Sequence, residues 1–459
     1  MTETEVLSPQ KLLALAERRA VRDLWIDAGG TRTWLELGVA VRAAHAACTD
    51  AGVRAGDIVL TPGEATFEAM AWLFGAALVG AVVAPMRAER ECELKSWTRH
   101  AAPRWRVGGN GVVALPEVAP SAEADRLLAP LREAGRPGLI LATGGTTGEP
   151  KLVLHDLQVL LATVPLKQSP ARRLMPLMRF DHIGGLDMVW RALGSGHVLV
   201  APPAEIAPET VAAAIEMYAV EVVPATPSFL NLLLAAEVHR THALSSLRVV
   251  PYGAEPMSAG LLARLRAALP KVEFVQRFGT SETGALPVTE RGAGLLLGDD
   301  KAGFQWKIVD DELWVRSPAQ ALGYLAGEAG GLGRDGWFRT GDLAERLPDG
   351  SLRVLGRREE LINVGGEKVL PAEVEGVLHE HPLVADCRVR AERNALLGQV
   401  VAAEVVWRGT ETDALAVKRK LHEFAGERLP RHKLPASVRL VASIPATRNM
   451  KKSRNVSAP

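Results

Sequence analysis

Within the stretch Thr143-Gly144-Gly145-Thr146-Thr147-Gly148-Glu149-Pro150-Lys151 the chain sets three glycines, three threonines and one lysine. Glycines let backbone N–H groups turn toward a ligand without side-chain interference. Threonine hydroxyls add donors, and lysine adds a compact positive charge. Together they suit a polyphosphate, which is anionic and rich in acceptors. The apolar run Gly138-Leu139-Ile140-Leu141 just before it reads as a short buried strand. The spacing does not fit a Walker P-loop, because Glu149 and Pro150 separate Gly148 from Lys151. No kinase-type catalytic signature follows it. Taken alone, the stretch also fits a glycine-rich surface turn.

Four more groups of residues bear on the same chemistry. In Arg277-Phe278-Gly279-Thr280-Ser281-Glu282 a flat apolar ring suits a purine face, and a carboxylate suits a hard cation beside phosphate. In Trp337-Phe338-Arg339-Thr340-Gly341-Asp342 the aspartate offers two acceptor oxygens to a pair of hydroxyls. Near the end of the chain, Lys451, Lys452 and Arg454 form a basic run whose plain reading is a solvated tail. Arg179, Asp181 and His182 are polar groups inside an apolar run; they either hydrogen-bond a substrate or pair among themselves.

The elements that must position these groups alternate between helical and extended patterns. Thr33 and Glu36 form a capping-box pair that opens a helix ending near Gly52. Strands are expected at 57–60, 81–84, 198–200, 221–223 and 247–250, with helices near 208–219 and 228–236. This alternation predicts parallel sheets covered by helices, an α/β class. Around 303–356 the pattern changes to short strands and turns, predicting a small antiparallel or barrel-like β region. The last hundred residues read as a smaller α+β unit. A boundary at Gly356-Arg357 divides the chain into an N-terminal domain, 1–356, and a mobile C-terminal domain, 357–459, hinged without a long linker.

Bulk properties narrow the choice. The 459 residues allow two or three domains. With 54 basic against 53 acidic residues, composition points to no nucleic-acid or anionic-membrane partner. Cys48, Cys92 and Cys387 are scattered, without metal spacing or a disulfide framework, which predicts a cytoplasmic location. The N-terminus lacks the basic start and apolar run of a signal peptide. The uncharged stretch 69–86 imitates a membrane span, but Gly75, Gly80 and Pro85 interrupt it, so a buried helix followed by a core strand is expected.

Taken in order, from about residue 30 to about 455, these stretches resemble the AMP-forming acyl-adenylating enzymes: acyl-CoA and aryl-CoA ligases, succinylbenzoate-type ligases and adenylation domains. Two further matches join them, the turn Tyr252-Gly253-Ala254-Glu255-Pro256 and the segment Gly356-Arg357-Arg358-Glu359 leading to Val364-Gly365-Gly366-Glu367. The resemblance implies that Thr143, Gly144, Gly145, Thr146, Thr147, Gly148 and Lys151 hold the polyphosphate of ATP. It implies that Gly253, Ala254 and Glu255 flank the adenine and acyl group, and that Phe278, Gly279 and Thr280 lie along the adenine. Ser281 would meet the α-phosphate, Glu282 would hold Mg²⁺, Asp342 would accept the ribose hydroxyls and Arg357 would contact ribose or phosphate. Arg179, Asp181, His182 and Gly253 would line the acid pocket. Lys451 would be the catalytic lysine, Glu359 the pivot, and Gly365-Gly366 the turn that admits the thiol.

The implied reaction joins an aryl or short-to-medium apolar acid to ATP, giving an acyl-adenylate. The acyl group then passes to coenzyme A or to the phosphopantetheine of a carrier protein. Two alternatives stay open: activation of a small inorganic acid such as nitrite with transfer to an aryl amine, and nucleotide binding without turnover. The sequence departs from the family pattern at Met450 and Leu152, each in place of a usual glycine, and in a short N-terminal part.

Overall fold

The computed structural model describes residues 5–87, 94–143, 151–291, 294–297, 303–326, 331–333 and 335–444. Runs such as Ile58–Pro62 and Val82–Met86 bury nearly every residue. Continuous burial of this kind belongs to parallel strands covered on both faces. These two strands pair in parallel, and they sit in the middle of a seven-stranded sheet. The order across that sheet is Gly323–Ala326, Lys151–Asp156, Gly138–Thr143, Val82–Met86, Ile58–Pro62, Trp105–Gly108 and Gly111–Ala114. The inner four are parallel, and the flanking pairs are antiparallel. The uncharged stretch resolves into the helix Phe67–Leu78 and the strand Val82–Met86. Among the described residues no helix is long and apolar enough to cross a membrane.

A second, mostly parallel sheet is built from Gly30–Thr33, Asp23–Asp27, Val198–Val200 and Arg173–Leu174. Val222 bridges Leu174 to Val249, which extends the sheet to the parallel pair Val249–Tyr252 and Glu273–Gln276. A full strand was expected at 221–223, and only single bridges form there. Pro224 and Pro227 follow at once, and proline supplies no ladder N–H. The expected capping box is present: Thr33 Oγ1 accepts from Glu36 N at 3.3 Å, and Thr33 N donates to Glu36 Oε2 at 2.6 Å, opening the helix Trp34–Asp50.

The β region spans more of the chain than its sequence pattern suggested. Six antiparallel strands run in the order Val288–Arg291, Gly294–Leu297, Leu352–Arg357, Phe338–Arg346, Glu312–Arg316 and Gln305–Val309. They enclose a core of their own that includes Leu295, Leu313 and Leu352. Beyond Arg357 the strands Ile362–Val364, Glu367–Val369, Val384–Asn394, Gly398–Trp407 and Ser437–Leu440 form one more sheet, covered by the helices Pro371–Leu378 and Ala414–Gly426. Their apolar cluster, with Val369, Val389 and Leu421 at its centre, contains only residues from this part of the chain.

Candidate active site

Thr143 and Lys151 are cross-strand partners at the open end of the pair Gly138–Thr143 and Lys151–Asp156. Gly144, Gly145, Thr146, Thr147 and Gly148 lie between them, outside the described residues. Lys151 Nζ stands 5.9 Å from the ring centroid of Tyr324, within cation–π range. Tyr324 is on the edge strand Gly323–Ala326, beside Lys151–Asp156, and its hydroxyl donates to Glu282 Oε1 at 3.1 Å. Burial, reinforced by the Glu282 charge, pushes the Tyr324 phenol well above its ordinary range, so it stays a donor at working pH.

The backbone of the same turn is held from below. His155 is fully buried, and its Nε2 donates to Ser281 O at 2.6 Å. Burial holds the imidazole below its usual pKa, which keeps it neutral. Thr280 Oγ1 accepts from Glu282 N and Thr283 N, each at 3.2 Å, and Ala321 N donates to Glu282 O at 2.7 Å. Glu282 is thus fixed at its backbone by two neighbours, Thr280 and Ala321, and at its carboxylate by Tyr324. Phe278 is half-buried against the antiparallel core, one residue before Gly279.

The turn after the strand Val249–Tyr252 fits closely against this segment. Arg277 N donates to Tyr252 O at 2.7 Å, and a Cβ at Gly253 would lie 2.6 Å from Arg277 O, so only glycine fits. Ala254 takes φ +68°, a left-handed conformation uncommon for alanine. The Glu255 carboxylate accepts from Ser228 N at 3.1 Å, in the first turn of the helix Pro227–Ala235. This gives Glu255 a structural role at a helix N-terminus, where a negative charge is favourable.

Asp342 and Arg357 are register partners on adjacent antiparallel strands. Arg357 Nε pairs with Asp342 Oδ1 at 3.0 Å, and its Nη1 donates to Thr340 O at 2.9 Å. Asp342 is buried, and its N–H donates to Thr340 Oγ1 at 3.0 Å. Glu359 sits exposed in the 3₁₀ turn Arg358–Glu360. Gly365 and Gly366 take φ +60° and +101° in the turn between two strands, with Gly366 N donating to Asn363 Oδ1 at 2.9 Å. Lys451, and with it Met450, Lys452 and Arg454, lies outside the described residues.

The segment 179–182, expected to line the acid pocket, is pinned to the first sheet. Asp181 Oδ2 pairs with Arg87 Nε at 2.6 Å, and each side chain is only 4% exposed. Phe180 N donates to Gly63 O at 2.9 Å. His182 is the N-cap of the helix Ile183–Ser195, its Nδ1 accepting from Gly184 N at 3.1 Å. Arg179 is half-buried, two residues before Asp181. Sequence reasoning missed Tyr324, His155 and Arg87. Only Arg87 carried a signal, as the cation that closes an uncharged run of eighteen residues.

Among the described residues, no group of three or more His, Cys, Asp or Glu side chains is placed to hold a metal ion. A single braced carboxylate at Glu282 instead fits a Mg²⁺ ion that arrives with phosphate oxygens, the usual manner for that cation.

The last part of the chain docks on the helices behind this site. Asn231 Nδ2 donates to Asp386 Oδ1 at 3.1 Å and to Ala385 O at 3.2 Å. Arg264 Nη1 donates to His379 O at 3.1 Å, and Arg408 Nη2 to Ala235 O at 3.0 Å. A cleft of about 540 Å³ lies along the seam, lined on one side by Ser228 and Glu255 and on the other by Glu373 and His379.

The comparisons with known proteins agree with the fold and with the family that the motifs resemble. Residues 89–325 match the family described as AMP-binding enzyme, and residues 373–451 match the AMP-binding enzyme C-terminal domain. The 2-succinylbenzoate–CoA ligase of Bacillus licheniformis is 30% identical over 338 residues, covering 69% of this chain and 68% of that protein. The indoleacetate–CoA ligase of Aromatoleum aromaticum is 31% identical over 338 residues, covering 68% of this chain and 64% of the relative. Among solved structures, the anthranilate CoA ligase AuaEII in complex with anthranoyl-AMP superposes with a TM-score of 0.80 at 20% identity, over 97% of each chain.

Proposed function

The chain belongs to the AMP-binding enzymes and is an AMP-forming ligase, and from that premise we propose that it joins a carboxylic acid to a thiol in two half-reactions. In the first, a carboxylate oxygen attacks the α-phosphorus of ATP, the bond to the β-phosphate oxygen breaks, and pyrophosphate leaves. In the second, a thiol attacks the acyl carbon and AMP leaves. No protein nucleophile is needed, so the residues work by positioning and by neutralising charge.

Lys151 and the glycine-threonine segment before it hold the polyphosphate. Glu282, oriented by Tyr324, holds Mg²⁺, which supplies further neutralisation of phosphate charge when bound. Asp342 accepts the ribose hydroxyls while Arg357 keeps it ionised and aimed. Phe278 covers the adenine. Lys451 bridges the carboxylate and the α-phosphate. The C-terminal unit, from residue 357 on, then turns about Glu359 and brings the Gly365-Gly366 turn in with the thiol. The acid is aryl or short-to-medium and apolar, in keeping with the indoleacetate and anthranilate named for two of the similar proteins. The thiol is coenzyme A, with a carrier-protein phosphopantetheine as the close competitor, and the enzyme works in the cytoplasm.

The observation that carries this reading is the convergence of Lys151, Tyr324 and Glu282, with Ser281 tied to the same strand pair through His155. Pyrophosphate release with Mg-ATP tests it, across aryl and aliphatic acids plus nitrite, each with and without coenzyme A and an aryl amine. Release with one acid, accelerated by coenzyme A, is the expected result. ATP binding with no pyrophosphate from any acid refutes it.

A further inference from the structure

A groove of about 290 Å³ runs between the helix Ile183–Ser195 and the sheet face carrying Leu174, Val222 and Val249. At one end is Arg277, whose carbonyl abuts Gly253. At the other are Arg172 and His197, just ahead of the strands Arg173–Leu174 and Val198–Val200. Met188, Arg191 and Ser195 mark its course along one face of the helix. From Met188 to Ser195 the helix rises roughly 10 Å. The groove therefore begins beside the acid site and leads away from it for about the length of a small aromatic acid.

Its lining is one-sided in charge. Lys167, Arg172, Arg191 and Arg277 line it, and no carboxylate does. Two carboxylates adjoin it: Asp187 pairs at 2.8 Å with the lining residue Arg191 and offsets its charge, and Glu221 accepts from Arg173 N at 3.1 Å, so Lys167 and Arg172 are the cations that mark the far end. His197 Nδ1 accepts from Arg172 N at 3.3 Å. Burial first, and the Arg172 charge after it, hold this imidazole below its usual pKa. The floor between the ends is apolar, with Leu174, Met188, Val222 and Val249. An apolar body ending in an anion matches such a groove; a body without the anion gains nothing from its far end.

Resting on the adenylation reading above, and narrowing its apolar acid to one whose apolar body ends in an anion, we propose that the acid this enzyme activates carries a second carboxylate. The reacting carboxylate sits at the Gly253 end, the apolar body lies along the helix, and the second carboxylate meets Lys167 and Arg172.

The test uses matched pairs that differ only in a terminal carboxylate: 4-biphenylcarboxylate against 4,4′-biphenyldicarboxylate, and nonanoate against nonanedioate. Calorimetry with AMP present reads binding, and pyrophosphate release with Mg-ATP reads turnover. Lys167 and Arg172 are exposed, so the double variant Lys167→Gln/Arg172→Gln keeps the fold. The dianionic member of a pair is expected to bind roughly three- to tenfold more tightly, as two solvent-exposed ion pairs allow. That advantage shrinks in the double variant and at high salt. A monoacid that binds as tightly as its partner, or a variant that weakens both alike, overturns the inference. Pyrophosphate release without preference for the second carboxylate does so too, and leaves adenylation standing. A dianion preference that depends on Lys167 and Arg172, with no pyrophosphate from any acid, upholds the groove and refutes adenylation instead.

Discussion

Replacing Tyr324 by phenylalanine removes one oxygen and leaves the ring that faces Lys151. The lost hydroxyl donates to an ionised carboxylate at 3.1 Å. Hydrogen bonds to charged groups contribute about 1.5–3 kcal/mol when dry. Glu282 is half-buried, so water replaces part of this, and about 1–2 kcal/mol is the reasonable figure. Converted at about 1.4 kcal/mol per tenfold, this is a loss of roughly 5- to 30-fold in kcat/KM for adenylation. The loss has a signature. If Tyr324 aims Glu282 at Mg²⁺, the variant needs more Mg²⁺ for half-maximal pyrophosphate release, while the KM for the acid moves little. The assay is pyrophosphate release titrated with Mg²⁺ at saturating ATP and acid. A Tyr324→Phe enzyme within twofold of the parent at every Mg²⁺ concentration would falsify the assignment of Tyr324 as the residue that orients Glu282.

Three further outcomes follow from the same geometry. Arg87→Met leaves Asp181 buried without this partner and should lower stability by about 3–5 kcal/mol; in thermal unfolding the double variant Arg87→Met/Asp181→Leu should recover most of that loss, and equal losses in both would show that the pair is not what holds the segment. Protonation of His155 favours the unfolded chain, because its folded pKa lies below the ordinary 6.5. Its contribution is therefore complete above about pH 6.5 and is lost as pH falls through the lower folded value, so His155→Gln should lose less stability than the parent between pH 7.5 and 5.5; identical slopes would refute this. Lys451→Ala should nearly abolish adenylation yet still permit thioester formation from a supplied acyl-adenylate, while Lys452→Ala does little; the reverse behaviour would move the catalytic role to Lys452.

Local patterns were readable in the sequence because they depend on near neighbours. The Thr33–Glu36 box, the helix-strand reading of 69–86 and the short-strand pattern over 303–356 all rest on periodicity and turn chemistry over a few residues. The family resemblance added the roles proposed for them. The residues that brace the site were not readable. His155 and Ser281 are 126 residues apart, and Tyr324 and Glu282 are 42 apart. What joins them is the register of Gly323–Ala326 against Lys151–Asp156, which no local window encodes. The contiguous motif implies a nucleotide-side place for Glu255; the bond its carboxylate accepts from Ser228 N, 27 residues away, is not legible in that motif. The strand expected at 221–223 failed for a local reason that was visible, the proline that follows it.

The seam between the C-terminal unit and the rest is made of hydrogen bonds from Asn231, Arg264 and Arg408, and the apolar core on the C-terminal side does not continue across it. Each of these groups finds an equivalent partner in water once the surfaces part. Separation therefore leaves the C-terminal core closed. A seam of packed leucines would hold one arrangement for good. A hydrogen-bonded seam suits the two arrangements proposed above for the C-terminal unit, because each can be left and regained at every turnover.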